Sequence, residues 1–296
     1  MKLTHRQAVL LMIACTMMWS IAGVVTRHLE QAKSFEVTFW RSFFTLISLL
    51  IILPMIHGKS LLLKFKRGGW YLWISGVCWS VMFTAFMTAL TMTSVANVLI
   101  TLSLGPMLTA LFARILIGHK LPMRTSIAIF VASLGIAYMY AAQINLSDMK
   151  QLTGMLVALG VPIAAAVNWT LVQHSQMQGH DVDLVPAVMV GALLSSLATF
   201  PLSMPFQATG HDVTLLAMLG LVQLAIPCAL AVVCARYLKA PEVSLLALLE
   251  IIFGIALAWL GANEKPGSAV LLGGSLVLGA LAVNEWLGMR ERASKL

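Results

Sequence analysis

Ten apolar runs of about twenty residues dominate the sequence, and this pattern leaves few folds open to the chain. An α-helix rises 1.5 Å per residue, so about 20 residues cross a ~30 Å hydrocarbon core. Strands of a membrane barrel would be nearer ~10 residues long, with alternating polarity that these runs lack. The runs predicted to be membrane helices are 8–26, 37–56, 70–92, 95–118, 125–142, 152–172, 184–204, 213–235, 243–262 and 267–283.

The shortage of charge supports the same interpretation. Only 10% of the residues are charged and 60% are apolar, whereas a water-soluble surface needs roughly a quarter or more of its residues charged. The four cysteines lie inside apolar runs and form no Cys-x-x-Cys pair, so neither a disulfide framework nor a zinc site is indicated. The predicted fold class is an all-α integral membrane protein with ten transmembrane helices.

Lysine and arginine set the predicted orientation. If the N-terminus is cytoplasmic, 14 of the 19 basic residues fall in cytoplasmic segments and 4 on the other side, which agrees with the positive-inside rule. We therefore expect a multi-pass protein of the bacterial inner membrane with both termini in the cytoplasm. Because the loops account for the net charge of +8, we do not expect nucleic acid to be a partner. The expected partner is the lipid bilayer.

The two halves of the chain resemble each other weakly. Trp19 in the first run has a counterpart in Trp169 of the sixth, and an offset of 145 places Gly105 over Glu250. Each half would hold five runs, and an odd number forces the second half to enter the membrane upside down. Many secondary transporters have this inverted-repeat plan, with the substrate site near the midplane.

Short motifs in both halves resemble the EamA family of the drug/metabolite transporter superfamily. The second half has Leu-Leu-Glu at 248–250, Leu-Gly-Ala-Asn-Glu at 260–264 and a glycine-containing last run, and the first half has Leu-Gly-Pro at 104–106. Two departures are Ile251, where the family often has proline, and His119, where the first repeat often has glutamate.

The resemblance implies two inverted five-helix repeats, residues 1–144 and 145–296, around a central cavity. Members of the family are similar to exporters of amino acids and other small metabolites. The resemblance does not transfer a particular substrate, a direction of transport or a coupling ion.

Two ionisable residues inside the predicted helices are candidates for substrate contact, since a charge at mid-helix costs at least ~2.5–3.5 kcal/mol. Glu250 could exchange a proton or bind a substrate ammonium group, and its alternative role is a structural carboxylate between helices. Arg41 could bind a substrate anion through its bidentate fork. Its alternatives are snorkelling to the headgroups or pairing with Glu36.

Aromatic and amide side chains complete the predicted site. Trp19 and Trp169 lie near mid-run, away from the interfacial belt where tryptophan usually lies, and Asn168 adjoins Trp169. Such a wall could hold an amine or zwitterion by stacking and cation–π contact, although helix packing explains the same residues. The other candidates are Trp79, Asn97 and Gln223.

Enzyme signatures are absent: the sequence has no His-Glu-x-x-His, Walker loop, Gly-x-Ser-x-Gly or dinucleotide fingerprint. We expect no catalytic residue, cofactor or metal site.

The predicted function is alternating-access secondary transport of a small-molecule substrate, most simply export of an amino acid or related compound. Proton or ion coupling and the oligomeric state are left open. The alternatives are transport of another metabolite or drug class in either direction, and a non-transporting membrane subunit.

Overall fold

The computed structural model of the protein describes residues 3–26, 28–32, 34–58, 60–93, 95–102, 104–118, 122–141, 149–178, 183–262 and 268–293. Throughout this part of the chain the regular structure is helical. The helices are α1 His5–Trp19, α2 Ile21–Thr26, α3 Ser34–His57, α4 Ser60–Met92, α5 Val95–Leu102, α6 Gly105–Ile117, α7 Met123–Ala141, α8 Met149–Met177, α9 Val185–Ser203, α10 Gly210–Met218, a π-helical segment Leu219–Ala225, α11 Ile226–Cys234, α12 Ala240–Ala247, α13 Leu249–Ala262 and α14 Ser268–Ala293.

Seven helices of the described chain are long and apolar enough to cross a membrane. Two further apolar helices, Gly105–Ile117 and Met123–Gly135, are shorter than a full span. The all-helical, multi-pass architecture predicted from the sequence is therefore present, while the structure supports seven spans by length where ten were predicted. The runs 95–118 and 243–262 are each divided between two helices, but only the first thereby falls short of a full span.

Those two divided runs break at matching places in the two halves. The predicted run 95–118 consists of α5 and α6, and the run 243–262 consists of α12 and α13. Helices α5 and α12 end 145 residues apart, at Leu102 and Ala247, and α12 packs against α6. Pro106 is the second residue of α6 and cannot donate a backbone hydrogen bond. The second break forms without proline, by a short-range bond from the Ile251 amide to the Leu248 carbonyl.

The two ends of the bundle are defined by α1, which begins at His5. We call the end with His5 the inner end, because the sequence predicts that it faces the cytoplasm. At the opposite, outer end, the buried carboxylate of Asp212 accepts hydrogen bonds from the backbone amides of residues 30–32 and Thr209 at 2.8–3.2 Å. The buried Glu36 likewise accepts from the amides of residues 207–208. Two carboxylates thus tie the outer connections to α3 and α10.

Candidate functional site

A cavity of about 130 Å³ lies inside the bundle, bordered by helices of both halves of the chain. Ligand sites for drug-sized molecules are usually about 300–1,000 Å³, so this cavity suits a smaller metabolite. Its walls are mostly apolar, with a few polar groups. The polar and aromatic side chains that line it are Trp19, Arg41, Trp79, Phe83, Phe86, Trp169, Gln223, Ser244 and Glu250.

The structure brings six of the eight predicted site residues to this cavity: Trp19, Arg41, Trp79, Trp169, Gln223 and Glu250. Asn168 does not line it. That side chain is fully buried, and its Oδ1 accepts a 2.6 Å hydrogen bond from Ser75 on α4. Asn168 therefore connects α8 to α4. Its role is helix packing, which the sequence left open as an alternative to substrate binding. Asn97 belongs to α5, and its side chain lies outside the described residues.

Arg41 is the most unusual group in the cavity wall, because it is 1% exposed and incompletely paired. Its Nη2 donates to the Phe83 carbonyl at 3.0 Å, and the guanidinium carbon lies 5.9 Å from the Phe86 ring centroid. Nε and Nη1 have no hydrogen-bond partner among the described residues. The Glu36 carboxylate, which the sequence offered as a partner, is bound to backbone amides at the outer end instead.

A buried guanidinium with two free donors is costly unless something else satisfies them. Snorkelling does not explain Arg41, since its head group is buried and faces the cavity. An anionic group of a bound molecule would supply the missing acceptors, and a carboxylate fits the planar fork of a guanidinium. Arg41 is therefore a candidate for contact with an anionic group of a substrate.

Glu250 provides the opposite charge in the cavity lining. It stands in the first turn of α13, directly after the break in the ninth run, where the helix dipole favours a negative charge. Its carboxylate makes no hydrogen bond or ion pair within the described chain, but it interacts electrostatically with Arg41. The cavity thus separates one cation and one anion that do not neutralise each other by direct contact.

The remaining polar groups of the wall also include unused donors and acceptors. Trp79 and Trp169 meet edge to face with ring centroids 5.7 Å apart, and the Trp79 Nε1 has no partner among the described residues. Gln223 donates from Nε2 to the Trp19 carbonyl at 3.3 Å, which leaves its Oε1 without a described partner. The cavity can therefore make directional hydrogen bonds as well as the two charge contacts.

Gln223 lies in the π-helical segment, which also touches the backbone behind Arg41. A Cβ placed on Gly220 would lie 2.9 Å from both the Arg41 carbonyl oxygen and the Thr45 nitrogen, so only glycine allows this approach. Thr45 Oγ1 donates to the carbonyls of Gly220 and Arg41 at 3.0 and 2.8 Å. Short π-helical segments are often found at functional sites. Here the segment fixes both Gln223 and the stretch of α3 that carries Arg41.

The position of Trp79 depends on a close crossing of α4 and α9. A Cβ on Gly191 would lie 2.3 Å from the Trp79 Cβ and 3.0 Å from the Gly76 carbonyl oxygen. Small residues let membrane helices approach at backbone distance, and this contact is one such approach.

Gly191→Val is accordingly expected to destabilise the protein by about 1–3 kcal/mol, as overpacking usually does, and to displace Trp79 from the cavity wall. Thermal unfolding of the purified protein measures the stability change. Gly279→Ala is the matched control, since nothing lies within 4 Å of a Cβ there, and it should leave the melting temperature unchanged. Equal melting temperatures for the two variants would mean that the crossing tolerates a side chain.

The cavity residues that sequence reasoning missed carry no charge, and three of them illustrate why. Phe83 supplies the carbonyl that fixes Arg41, Ser244 lies on α12, and Cys228 lies on α11. Phe83 lies four residues after Trp79, one helical turn along the same face of α4, so the spacing could have indicated it. Ser244 and Cys228 gave no such signal, because small uncharged residues are common in membrane-helix packing.

Within the described residues, the side chains of Glu30, His211 and Asp212 come close enough to hold a metal ion. Both oxygens of Asp212 already accept backbone hydrogen bonds, however, and Glu30 is exposed at the outer end. The arrangement is explained as a structural connection of the outer segments.

Helices broken at the level of a buried, charged cavity define a membrane protein of the transporter class. The model of the EamA-like transporter family matches the chain twice, at residues 6–141 and 152–285. The chain therefore belongs to the EamA-like transporter family, whose members are membrane transporters of the drug/metabolite type.

A solved structure supports the fold. A crystal structure described only as "Crystal structure of protein" is similar with a TM-score of 0.78 and 17% sequence identity, over 96% of this chain and 99% of that one. At this identity the likeness concerns the fold alone. No curated protein matches this sequence.

Proposed function

We propose that the protein is a secondary transporter whose substrate is a small zwitterion, an amino acid or a close relative, bound between Arg41 and Glu250. The observation that carries the proposal is the buried guanidinium of Arg41, whose Nε and Nη1 have no partner among the described residues, in the wall of a cavity that also contains a carboxylate. A carboxylate of the substrate pairs with Arg41 and its ammonium group with Glu250. The tryptophans provide apolar and cation–π surface for the rest of the molecule.

The proposal includes the membrane arrangement expected from the sequence. The chain crosses a bacterial inner membrane ten times as two inverted five-helix repeats, 1–144 and 145–296, with both termini in the cytoplasm. Support comes from the two helix breaks 145 residues apart and from the excess of basic residues in the segments assigned to the cytoplasm. Alternating access of the central cavity then exports the substrate. The driving force is left open between a proton gradient and a gradient of another ion.

The rival function, a non-transporting subunit, fits the cavity less well. A subunit that serves only to bind a partner protein would gain nothing from an unpaired, buried arginine facing an internal space. Stability alone would favour an apolar residue at this place.

A thermal-shift experiment on the purified protein tests the proposed substrate class. A ligand that binds only the folded protein raises its melting temperature. The panel contains amino acids together with the matching amines, which lack the carboxylate, and the matching carboxylic acids, which lack the ammonium group. We expect stabilisation by one or more amino acids and at least tenfold weaker effects from both analogues.

Ala165→Phe is the control for the place of binding, because Ala165 lines the cavity and a phenyl ring there would fill it. The variant should fold and lose the response to amino acids. Stabilisation by amines or acids alone, or by amino acids equally in both proteins, would contradict the proposal.

A further inference from the structure

A second cavity, of about 440 Å³, lies at the inner end of the bundle, and no role has yet been assigned to it. Its lining is more polar than that of the central cavity and includes charges of both signs. The lining residues that carry the argument are His5, Gln173, Arg236, Lys239 and Glu242.

The two cavities are bordered by the same helices at different depths. On α8, Val161, Ala165 and Trp169 face the central cavity, and Gln173 and Met177 face the inner one. These residues are spaced by four, so they form a slanting stripe that turns by about 40° per step around the helix. At 1.5 Å per residue, Trp169 and Gln173 are separated by only about 6 Å along the helix axis.

Helices α1 and α12 show the same division. Trp19 of α1 lines the central cavity and His5 lines the inner one, while α12 contributes Ser244 to the former and Glu242 to the latter. Between the residues that line the two cavities, α1 carries Met12 and α12 carries Val243, both completely buried. A thin apolar layer therefore separates a charged inner cavity from the candidate substrate site.

The first turn of α12 is held at this layer by two contacts from neighbouring helices. His5 Nε2 of α1 lies 2.7 Å from Glu242 Oε1, and Gln173 Oε1 of α8 accepts a 2.8 Å hydrogen bond from the Ala240 amide. Both contacts join polar groups at the edge of the inner cavity. Because polar contacts beside a hydrated cavity can exchange partners with water, they can open more readily than buried apolar packing.

We propose that the inner cavity is the cytoplasmic vestibule of the transport path, and that the first turn of α12 is the gate between this vestibule and the central cavity. The inference rests on the proposed transport function. The His5–Glu242 and Gln173–Ala240 contacts hold the gate closed in this structure. Opening separates α12 from α1 and α8 and exposes the stripe on α8 as a continuous wall from the vestibule to Trp169.

The vestibule also has the chemistry to receive a small zwitterion before the gate. Arg236 and Lys239 offer positive charge and Glu242 offers negative charge around one space, so both ends of such a molecule meet a complementary group. The central cavity repeats this combination with Arg41 and Glu250.

Native cysteines allow the gate to be tested without any knowledge of the substrate. Cys228 lines the central cavity, whereas Cys78 on α4 is buried in the helix packing and lines neither cavity. Inside-out membrane vesicles expose the inner end to a small, membrane-impermeant methanethiosulfonate reagent, and peptide mass spectrometry gives the labelling rate of each cysteine. The variant His5→Ala/Gln173→Ala removes both contacts of the gate.

We expect the double variant to label Cys228 at least fivefold faster than the unmodified protein, with no change at Cys78. Lys64→Ala is the matched control, because it removes a 2.6 Å ion pair with Asp183 at the inner end but outside the vestibule lining. It should leave both rates unchanged. An unchanged rate at Cys228 in the double variant, or an equal rise in the control, would overturn the proposal.

A locked variant tests the gate in the opposite direction and covers the case in which the double variant does not fold. In His5→Cys/Glu242→Cys, a disulfide formed by mild oxidation should slow the labelling of Cys228 at least fivefold, and reduction should restore it. Labelling that is unaffected by the disulfide would place the gate elsewhere. Because neither readout needs a substrate, a failed substrate screen and a failed gate are distinguishable.

Discussion

Replacing Arg41 by leucine is expected to abolish substrate binding and transport while leaving the protein at least as stable as before. The guanidinium makes only one hydrogen bond in the described structure, and two of its buried donors are unsatisfied. Leucine is shorter than arginine but removes this cost, so the free energy of unfolding should stay equal or rise. Function and stability are expected to change independently at this position, as is common at binding sites.

The size of the functional effect follows from the loss of a buried charge contact. Truncating one partner of a buried, hydrogen-bonded charge pair costs about 2–5 kcal/mol of binding. At about 1.4 kcal/mol per tenfold, the Kd of a zwitterionic substrate should rise by roughly 30-fold or more. Amines that lack a carboxylate should bind the variant as well as they bind the unmodified protein, because they never used Arg41.

Thermal shift and uptake into proteoliposomes together measure these outcomes. The matched control is Arg114→Leu, which removes an exposed arginine near the end of α6 and should affect neither readout. Normal transport by Arg41→Leu would mean that the arginine has no substrate role. A large fall in melting temperature would instead indicate that Arg41 is a structural residue held by contacts with Phe83 and Phe86.

Glu250→Gln is expected to have the second-largest effect and the opposite selectivity. The amide keeps the shape of the side chain but removes the negative charge that would hold a substrate ammonium group. Zwitterion binding should weaken by at least tenfold, and carboxylic acids without an amine should bind no worse, since the uncompensated Arg41 then dominates the cavity. The fold should tolerate the change, because the carboxylate has no hydrogen-bond partner within the described chain.

Competition binding with a matched amine, acid and amino acid separates the roles of the two charges. Glu30→Gln, at the exposed outer end, is the control and should leave all three affinities unchanged. If Glu250→Gln weakens the binding of acids and of amino acids equally, the carboxylate affects the electrostatic potential of the whole cavity and does not contact an ammonium group.

The sequence predicted the class of fold and six of the residues that line the cavity for identifiable physical reasons. Long apolar runs can only be membrane helices, and an ionisable residue inside such a run needs a partner or a function. Arg41 and Glu250 were found in this way, and Trp19 and Trp169 through their matching mid-run positions. These signals are strong because placing a polar group in contact with lipid has a high free-energy cost.

Other features could not be derived from one sequence. The interruption between α12 and α13 has no proline to indicate it, so a single helix was predicted across 243–262. Asn168 was placed in the cavity because it adjoins Trp169, yet neighbouring residues on a helix point about 100° apart and this one faces α4. Packing against other helices sets how a helix is rotated about its own axis. In a run that is apolar all round, the sequence has no periodicity that would reveal this rotation.

The separation of Arg41 and Glu250 has an electrical consequence. When both are ionised, the empty cavity has no net charge, and a zwitterion adds none on loading. The membrane potential supplies about 2.3 kcal/mol per elementary charge per 100 mV, but only to a step that moves net charge. If no ion is coupled to transport, a carrier of this design is electrically silent in both directions of its cycle. Chemical gradients, and not voltage, would then decide which way its cargo flows.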